Sequence, residues 1–186
     1  VQENDKPEKG LWEADLKKSK AYSWIKAPRY NGLPYEVGPL ARQWLSGAYR
    51  NGVSTMDRTI ARVLEARKIA EVMQVLLENL VPDVSVQSLY EIPEAAEGAG
   101  FTDTTRGALG HWLQIDNHVI SFYQIITPSG WNLSSRSSGI NGTAEQALIG
   151  TTINDIESPV ELGRIVRSFD PCISCATHVY KAGKEA

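Results

Sequence analysis

The chain has 186 residues, of which 42% are hydrophobic and 22% charged, a composition typical of one globular domain with a buried core. Its formal net charge is -3 and its basic residues are scattered, which argues against nucleic acid as a partner. No apolar run approaches the roughly 20 residues that span a bilayer, and residues 1–6 are polar where a signal peptide would be apolar. We therefore expect no direct membrane span, and any export or membrane attachment through a partner.

The first part of the chain predicts a surface segment, a short strand and a helix. Residues 1–20 are rich in Lys, Glu and Asp and should form a surface or extended segment. Residues 21–25 alternate like a short strand that ends at Pro28. From residue 38 to residue 49 the pattern allows a helix, with Pro39 in its first turn.

The longest periodic segment, residues 56–80, predicts a second helix. Ser54, three residues before Asp57, resembles a capping box at its start. Its apolar residues recur at near-helical spacing, so we expect it to pack in the core or in a helix bundle with a further part of the protein. Residues 82–104 contain Pro, Gly and small or acidic residues, which indicates an irregular connection.

The second half changes to a strand pattern. Residues 107–126 predict a β-hairpin whose turn is at Asp116 and Asn117. Residues 129–142 predict a Ser, Gly and Asn-rich loop, long enough to be functional. Short helices are expected over residues 144–150 and from Ser158 to Val166. The sequence thus predicts an α+β fold, mostly α-helical, with a helical core, a β-hairpin and long loops.

Both cysteines lie in one stretch near the C-terminus, Cys172 and Cys175 in a C-x-x-C motif, with His178 three residues further on. Soft thiolates at this spacing can bind one metal ion together. The motif alone has low specificity: a redox dithiol, half of a zinc site and two buried core thiols all fit it.

The surrounding residues resemble the large subunit of [NiFe] hydrogenases. The motif D-P-C-x-x-C-x-x-H of residues 170–178 is similar to that family's C-terminal signature. Three further blocks follow the family order: residues 26–42 (KAPRY leading to EVGPLAR), residues 105–112 (TRGALGHW) and residues 127–132 (TPSGWN). On these four blocks the chain is identified as a member of the family, with residues 21–178 as the C-terminal part of the large-subunit domain.

The resemblance implies a metal centre of nickel and iron, with carbon monoxide and cyanide on the iron. Cys172 would be a terminal nickel ligand and the first proton acceptor, and Cys175 would bridge nickel and iron. His178 would bind a magnesium ion, although a lone histidine here could equally be a surface or packing residue. The family's other C-x-x-C pair is not in this chain. We therefore expect the N-terminal part of the large subunit, with the other two cysteine ligands, as a partner.

Three further residues have implied roles around the metals. Arg106 matches an arginine that overhangs the metal pair, where it can hydrogen-bond a cyanide and polarise the substrate site. Ser129 matches a hydroxyl that bonds the other cyanide. Asp170 could pair with Arg106 and orient it, or could simply cap a turn. The predicted hairpin would bring Arg106 beside residues 127–129.

Two departures from the family pattern are visible. Thr104 and Thr105 precede Arg106 where the family usually has Ala-Pro. Residues 179–186 form a C-terminal tail, and in this family an extension beyond the histidine is normally removed by a maturation endopeptidase.

The implied function is reversible heterolytic cleavage of H2 to protons and electrons, an oxidoreductase activity. Since two cysteines cannot also hold iron–sulfur clusters, the electrons would pass to an iron–sulfur small subunit. Similarity to uptake enzymes favours a periplasmic location or a membrane location through partners, and leaves a cytoplasmic location as an alternative. The alternatives are an unprocessed or apo precursor that binds maturation factors, and a dithiol or zinc module.

Overall fold

The computed structural model describes residues 22–23, 25–82 and 90–172. These residues form helices and one antiparallel sheet, which confirms the α+β class. The elements in chain order are α1 (Pro39–Ser46), α2 (Thr55–Glu78), β1 (Ala95–Thr104), β2 (Gly107–Asp116), β3 (Val119–Ile126), α3 (Pro128–Asn132), α4 (Thr143–Leu148) and α5 (Val160–Ser168).

Helices α1 and α2 begin as the sequence predicts. Pro39 is the first residue of α1, where its missing N–H leaves no helical bond unmade. Helix α2 starts with a capping box: the Asp57 N–H donates to Ser54 Oγ (3.3 Å), and the Ser54 N–H donates to Asp57 Oδ2 (2.7 Å). These two bonds fix the start of the longest helix.

Helix α2 packs against α1 and α5 near its N-terminus. Its buried residues are Arg58 and Ala61. From Val63 onwards, large apolar side chains on α2 and just past its end are exposed, and we call this set the α2 apolar face: Val63, Ile69, Val72, Met73, Leu76, Leu77 and Leu80. The predicted packing role is therefore met by only the first part of the helix within the described residues.

The sheet has the order β1-β2-β3, antiparallel throughout. Strand β1 corrects the irregular connection predicted for residues 82–104, since Ala95 pairs with Asp116 and Thr104 with Gly107. Most side chains of β1 are exposed, so no alternation of apolar and polar residues signals the strand. Its Ala, Glu and Gly residues also have weak strand propensity, and pairing with β2 decides the structure.

The predicted hairpin of residues 107–126 is confirmed as β2 and β3. Its turn lies one residue later than predicted, at Asn117 and His118, whose φ angles are 51° and 60°. Positive φ at both central residues is the requirement of a type I′ turn, which matches the twist of the strands.

Other local predictions have mixed outcomes. The described residues between 21 and 28 form no strand, and the predicted loop of residues 129–142 begins inside α3. Helices α4 and α5 occur where short helices were expected. The surface segment of residues 1–20 and the tail of residues 179–186 lie outside the described residues. Within the described ranges, no helix is long and apolar enough to cross a membrane.

Candidate functional site

The turn between β1 and β2 meets the segment that follows α5. Arg106, in this turn, donates from Nε to the backbone oxygen of Asp170 at 2.9 Å. The same Nε lies 3.2 Å from Asp170 Oδ2, and both side chains are 39% exposed. Asp170 has a φ of 51°, so its backbone is in the left-handed region as it leaves the helix. The structure thus forms the predicted Arg106–Asp170 contact.

A second contact holds the same segment two residues further on. The Cys172 N–H donates to Ser129 Oγ at 3.2 Å. Ser129 is in the first turn of α3, which begins where β3 ends, and the Thr127 side chain caps this helix by accepting from the Gly130 N–H at 3.2 Å. A hydroxyl that accepts one bond still has its own proton to donate. Arg106, just before β2, and Ser129, just after β3, lie at the open end of the β2–β3 hairpin, and both bind residues 170–172.

The thiol of Cys172 is exposed, and its soft sulfur atom is the kind of donor that nickel takes. Cys175 and His178 lie outside the described residues. Within the described ranges, no three His, Cys, Asp or Glu side chains group closely enough to hold a metal ion. The described residues thus fit one thiolate ligand of a larger donor set, and the roles of the six predicted site residues stay predictions.

The guanidinium of Arg106 is held at one atom. Among the contacts between described residues, Nε makes a hydrogen bond to the Asp170 backbone oxygen and an ion pair with the Asp170 carboxylate. The two terminal amino groups carry the other four N–H donors of the five on a guanidinium. A side chain held in this way can present fixed positive charge to a group outside the described residues.

Sequence reasoning missed the support beneath this segment. Arg58, which is 6% exposed, makes a two-bond pair with Glu36, with both N–O distances 2.8 Å. Its guanidinium also lies 3.8 Å from the centre of the Phe169 ring. Arg62 donates from Nη2 to the backbone oxygen of Ser168 at 2.7 Å. Two arginines of α2 therefore hold the end of α5, directly before Asp170.

Glu36 was part of a quoted sequence block, but Arg58 carried no signal beyond its place in a periodic helix. Arg58 lies 22 positions from Glu36 and 110 from Ser168, towards which it also donates. Arg58 reaches Glu36, just before α1, and Ser168, at the end of α5, because α2 packs against both α1 and α5. A local sequence pattern could therefore not have predicted these contacts.

A further support was missed at Asn132, in another quoted block. Its side chain accepts from the Val37 N–H at 2.9 Å and donates to the Val37 oxygen at 3.0 Å, as a neighbouring strand would. Asn132 is 3% exposed, so these bonds satisfy an otherwise costly buried amide. They tie the end of α3 to the segment before α1.

The start of α1 lies directly against the turn that carries Arg106. Gly38 has a φ of 111°, and a Cβ there would come 2.6 Å from the Arg106 oxygen. Gly107 has a φ of 124°, and a Cβ there would come 2.5 Å from the Gly38 N. Both positions thus require glycine, for backbone angle and for space.

Behind Arg106, residues of α1, α2 and the segment that follows α5 line a cavity of only about 10 Å3. This is about the least space that can hold one water molecule. The described residues are therefore closely packed behind Arg106, while Cys172 is exposed.

The chain matches a known protein family along most of its length. The family model of the nickel-dependent hydrogenases matches residues 2–52 and 46–178. The large subunit of the periplasmic [NiFeSe] hydrogenase of Desulfomicrobium baculatum is 38% identical over 187 residues, covering 87% of this chain and 36% of that subunit. The quinone-reactive Ni/Fe-hydrogenase large chain of Wolinella succinogenes is 38% identical over 185 residues, covering 85% of this chain and 32% of that one.

The fold agrees with solved structures. The Ni-Fe-Se hydrogenase from D. vulgaris Hildenborough in the reduced state superposes with a TM-score of 0.80 at 35% identity, over 88% of this chain and 39% of that chain. A reduced, active form of the Desulfomicrobium baculatum enzyme gives 0.80 at 39% identity, with the same coverage. The chain spans about a third of the length of the curated relatives it matches, and corresponds to their C-terminal part. It belongs to the nickel-dependent hydrogenase family.

Proposed function

We propose that this chain is the C-terminal part of a [NiFe] hydrogenase large subunit and takes part in the reversible cleavage of H2 to protons and electrons. Family membership supports the reaction class. One observation carries the proposal for this chain: Arg106 and Ser129, from two different elements, both bind the Asp170–Cys172 segment. These bonds hold the backbone that carries Cys172, which supports a site around its sulfur.

A bound nickel–iron centre, with carbon monoxide and cyanide on iron, would supply the electron-rich metal that cleavage of an uncharged molecule needs. Cys172 would be a nickel ligand, and its Sγ would receive the proton of H2. Exposure of this thiol supports the role, because a proton acceptor must reach the reaction space. Cys175 would supply the second sulfur from this chain.

The residues around Cys172 would hold its backbone in place and bond the two cyanides of the metal centre. Asp170 fixes Nε of Arg106, so that the remaining N–H groups can bond one cyanide and polarise the space beside Cys172. Ser129 would hold the Cys172 backbone through its oxygen and donate its own proton to the other cyanide.

The rest of the assembly follows from the family. The remainder of the large subunit would supply the other two cysteine ligands and cover the α2 apolar face, giving a mostly helical complete subunit. An iron–sulfur small subunit would take the electrons, and His178 would bind Mg2+. A maturation endopeptidase would remove residues 179–186. The D. baculatum relative is called periplasmic, which supports a periplasmic or partner-associated location.

Replacement of Cys172 tests the proposal. In the assembled complex, Cys172→Ser should abolish hydrogen uptake and nickel retention together, because a neutral hydroxyl is a poor ligand for nickel. Nickel content and hydrogen uptake are measured on the same sample. His118→Gln is a matched control, since it removes a possible metal-binding side chain at the opposite end of the hairpin, where His118 bonds the Ile92 oxygen.

The control variant should keep both nickel and activity. Hydrogen uptake that persists in Cys172→Ser would remove this residue from the nickel site. Zinc in place of nickel in the wild-type complex, or a reversible disulfide between Cys172 and Cys175, would instead indicate a dithiol or zinc module.

A further inference from the structure

The short turn that carries Arg106 takes its positive φ directly after the two central residues. Two-residue hairpin turns commonly take positive φ at their central residues, because that twist matches the strands. In this turn the positive φ is at Gly107 and not at the central residues Thr105 and Arg106. The central residues also lack the fixed φ of a proline. Side-chain contacts to this turn therefore add restraint to its backbone.

Thr104 provides such a contact. Its Oγ1 donates to the Gly107 oxygen at 3.0 Å, across the mouth of the turn. The bond joins the last residue of β1 to the first of β2, so it closes the ring of residues that contains Arg106. Alanine or valine at this position could not make it.

The backbone before Arg106 is also held, by Arg42 of α1. Arg42 donates from Nη1 to the Thr104 oxygen (3.0 Å) and from Nη2 to the Thr105 oxygen (3.4 Å). A two-bond pair with Glu65 fixes the guanidinium of Arg42, with N–O distances of 2.5 and 2.6 Å. That hydrogen bonding, together with the charge of Asp103, raises the pKa of Arg42 above its ordinary value. The Arg42 guanidinium, which is always charged in proteins, therefore donates to this backbone as a fixed cation.

We propose that Thr104 is a positioning residue for Arg106: its hydroxyl bond to Gly107 completes the restraint begun by Arg42 and fixes where the Arg106 guanidinium lies relative to Asp170 and Cys172. The inference deepens the proposed function and rests on it for the link to the metal site. Thr104 touches no reacting group and acts through the turn. Its effect should be local, because the strands on both sides remain paired without the hydroxyl.

Hydrogen exchange in the assembled complex tests this restraint. Thr104→Val keeps the shape and strand propensity of the side chain but removes the donor. Amides of residues 105–107 should exchange roughly two- to tenfold faster, the effect of one neutral hydrogen bond. Thr104→Ser should restore the wild-type rate. Thr102→Val is the matched control, since Thr102 lies two residues earlier on the same face of β1 and is exposed.

The proposal is overturned if Thr104→Val leaves the turn exchange unchanged, if Thr102→Val changes it equally, or if Thr104→Ser does not restore it. Thr104→Ala probes the same bond if the valine variant does not assemble.

A second readout reports on the site itself. Infrared bands of metal-bound cyanide should shift in Thr104→Val and return in Thr104→Ser, because the guanidinium that bonds a cyanide has moved. Unshifted bands in a metal-loaded valine variant overturn the positioning role. Absence of such bands from the wild-type complex contradicts the proposed function instead, and the exchange rates then still decide whether Thr104 restrains the turn.

Discussion

The Arg106–Asp170 contact orients the Arg106 side chain more than it stabilises the fold. Both side chains are about two-fifths exposed, so solvent screens the pair and little stability depends on it. What the contact determines is orientation, because a planar guanidinium bonded at Nε has little rotational freedom left. Such an anchor is what a fixed charge at a reaction site needs.

The Arg58–Glu36 pair is a stability element. Glu36→Gln should destabilise the chain in its complex by about 3 kcal/mol, because it leaves the nearly buried Arg58 without a compensating charge. Denaturant unfolding of the complex measures the change. Glu71→Gln is the control: Glu71 pairs with Arg67 and Lys68, both highly exposed, and its loss should cost about 0.5 kcal/mol or less. Equal effects of the two variants would contradict the buried-pair account.

The candidate site residues lie in short motifs that the sequence shows, whereas the residues that support the Asp170–Cys172 segment do not. Asp170 and Cys172 are two positions apart, so a sequence pattern includes both. Arg62 supports this segment through the Ser168 oxygen, and Arg62 and Ser168 are 106 positions apart. Every residue has a backbone oxygen, so a hydrogen bond to one requires no particular residue type. A sequence pattern therefore cannot predict this bond.

Among the elements, the start of α2 has a pH-dependent cap. Hydrogen bonds from Ser54 and Tyr49 hold the pKa of Asp57 below its ordinary value. Because this pKa is lower in the folded chain than in the unfolded one, the cap stabilises the fold fully above the unfolded pKa, about 4. This contribution is lost as pH falls through the lower, folded pKa.

We therefore expect the first turn of α2 to fray below about pH 4. Amide exchange of residues 55–58, corrected for the intrinsic pH dependence of exchange, measures the opening. In Asp57→Asn the opening should be greater at neutral pH and nearly independent of pH. A wild-type opening that does not change between pH 6 and pH 3 would show that the Asp57 carboxylate does not hold the cap.

The helices and strands that the sequence predicted are those with a strong local pattern, such as a cap or a regular apolar period. Helix α2 has a capping box and a long periodic pattern, and both were visible in the sequence. Strand β1 has neither, since its side chains are exposed and its stability comes from pairing with β2. The β2–β3 turn was misplaced by one residue because Asp and Asn are both common in turns, and only the backbone shows that Asn117 and His118 take positive φ.

At the level of the whole molecule, the α2 apolar face is exposed within the described residues, and the chain spans about a third of its relatives' length. We expect the remainder of the large subunit to cover this face. Leu76→Ala should then destabilise the assembled complex by roughly 2–5 kcal/mol, the cost of truncating a buried leucine.

Thermal denaturation of the complex measures this loss. Lys68→Ala, which truncates a charged and highly exposed side chain of the same helix, is the control and should change stability by less than about 0.5 kcal/mol. If Leu76→Ala behaves like the control, the apolar face is not buried in the complex.

An infrared spectrum of the natively purified complex tests the central claim most directly. Metal-bound carbon monoxide and cyanide absorb in a window where protein groups do not. We predict bands in this window that shift when the sample is exposed to hydrogen, with the partner chains present. Their absence from a complete complex would contradict the account, and would mean a precursor or a relative that has kept Cys172 and Cys175 without the metal centre.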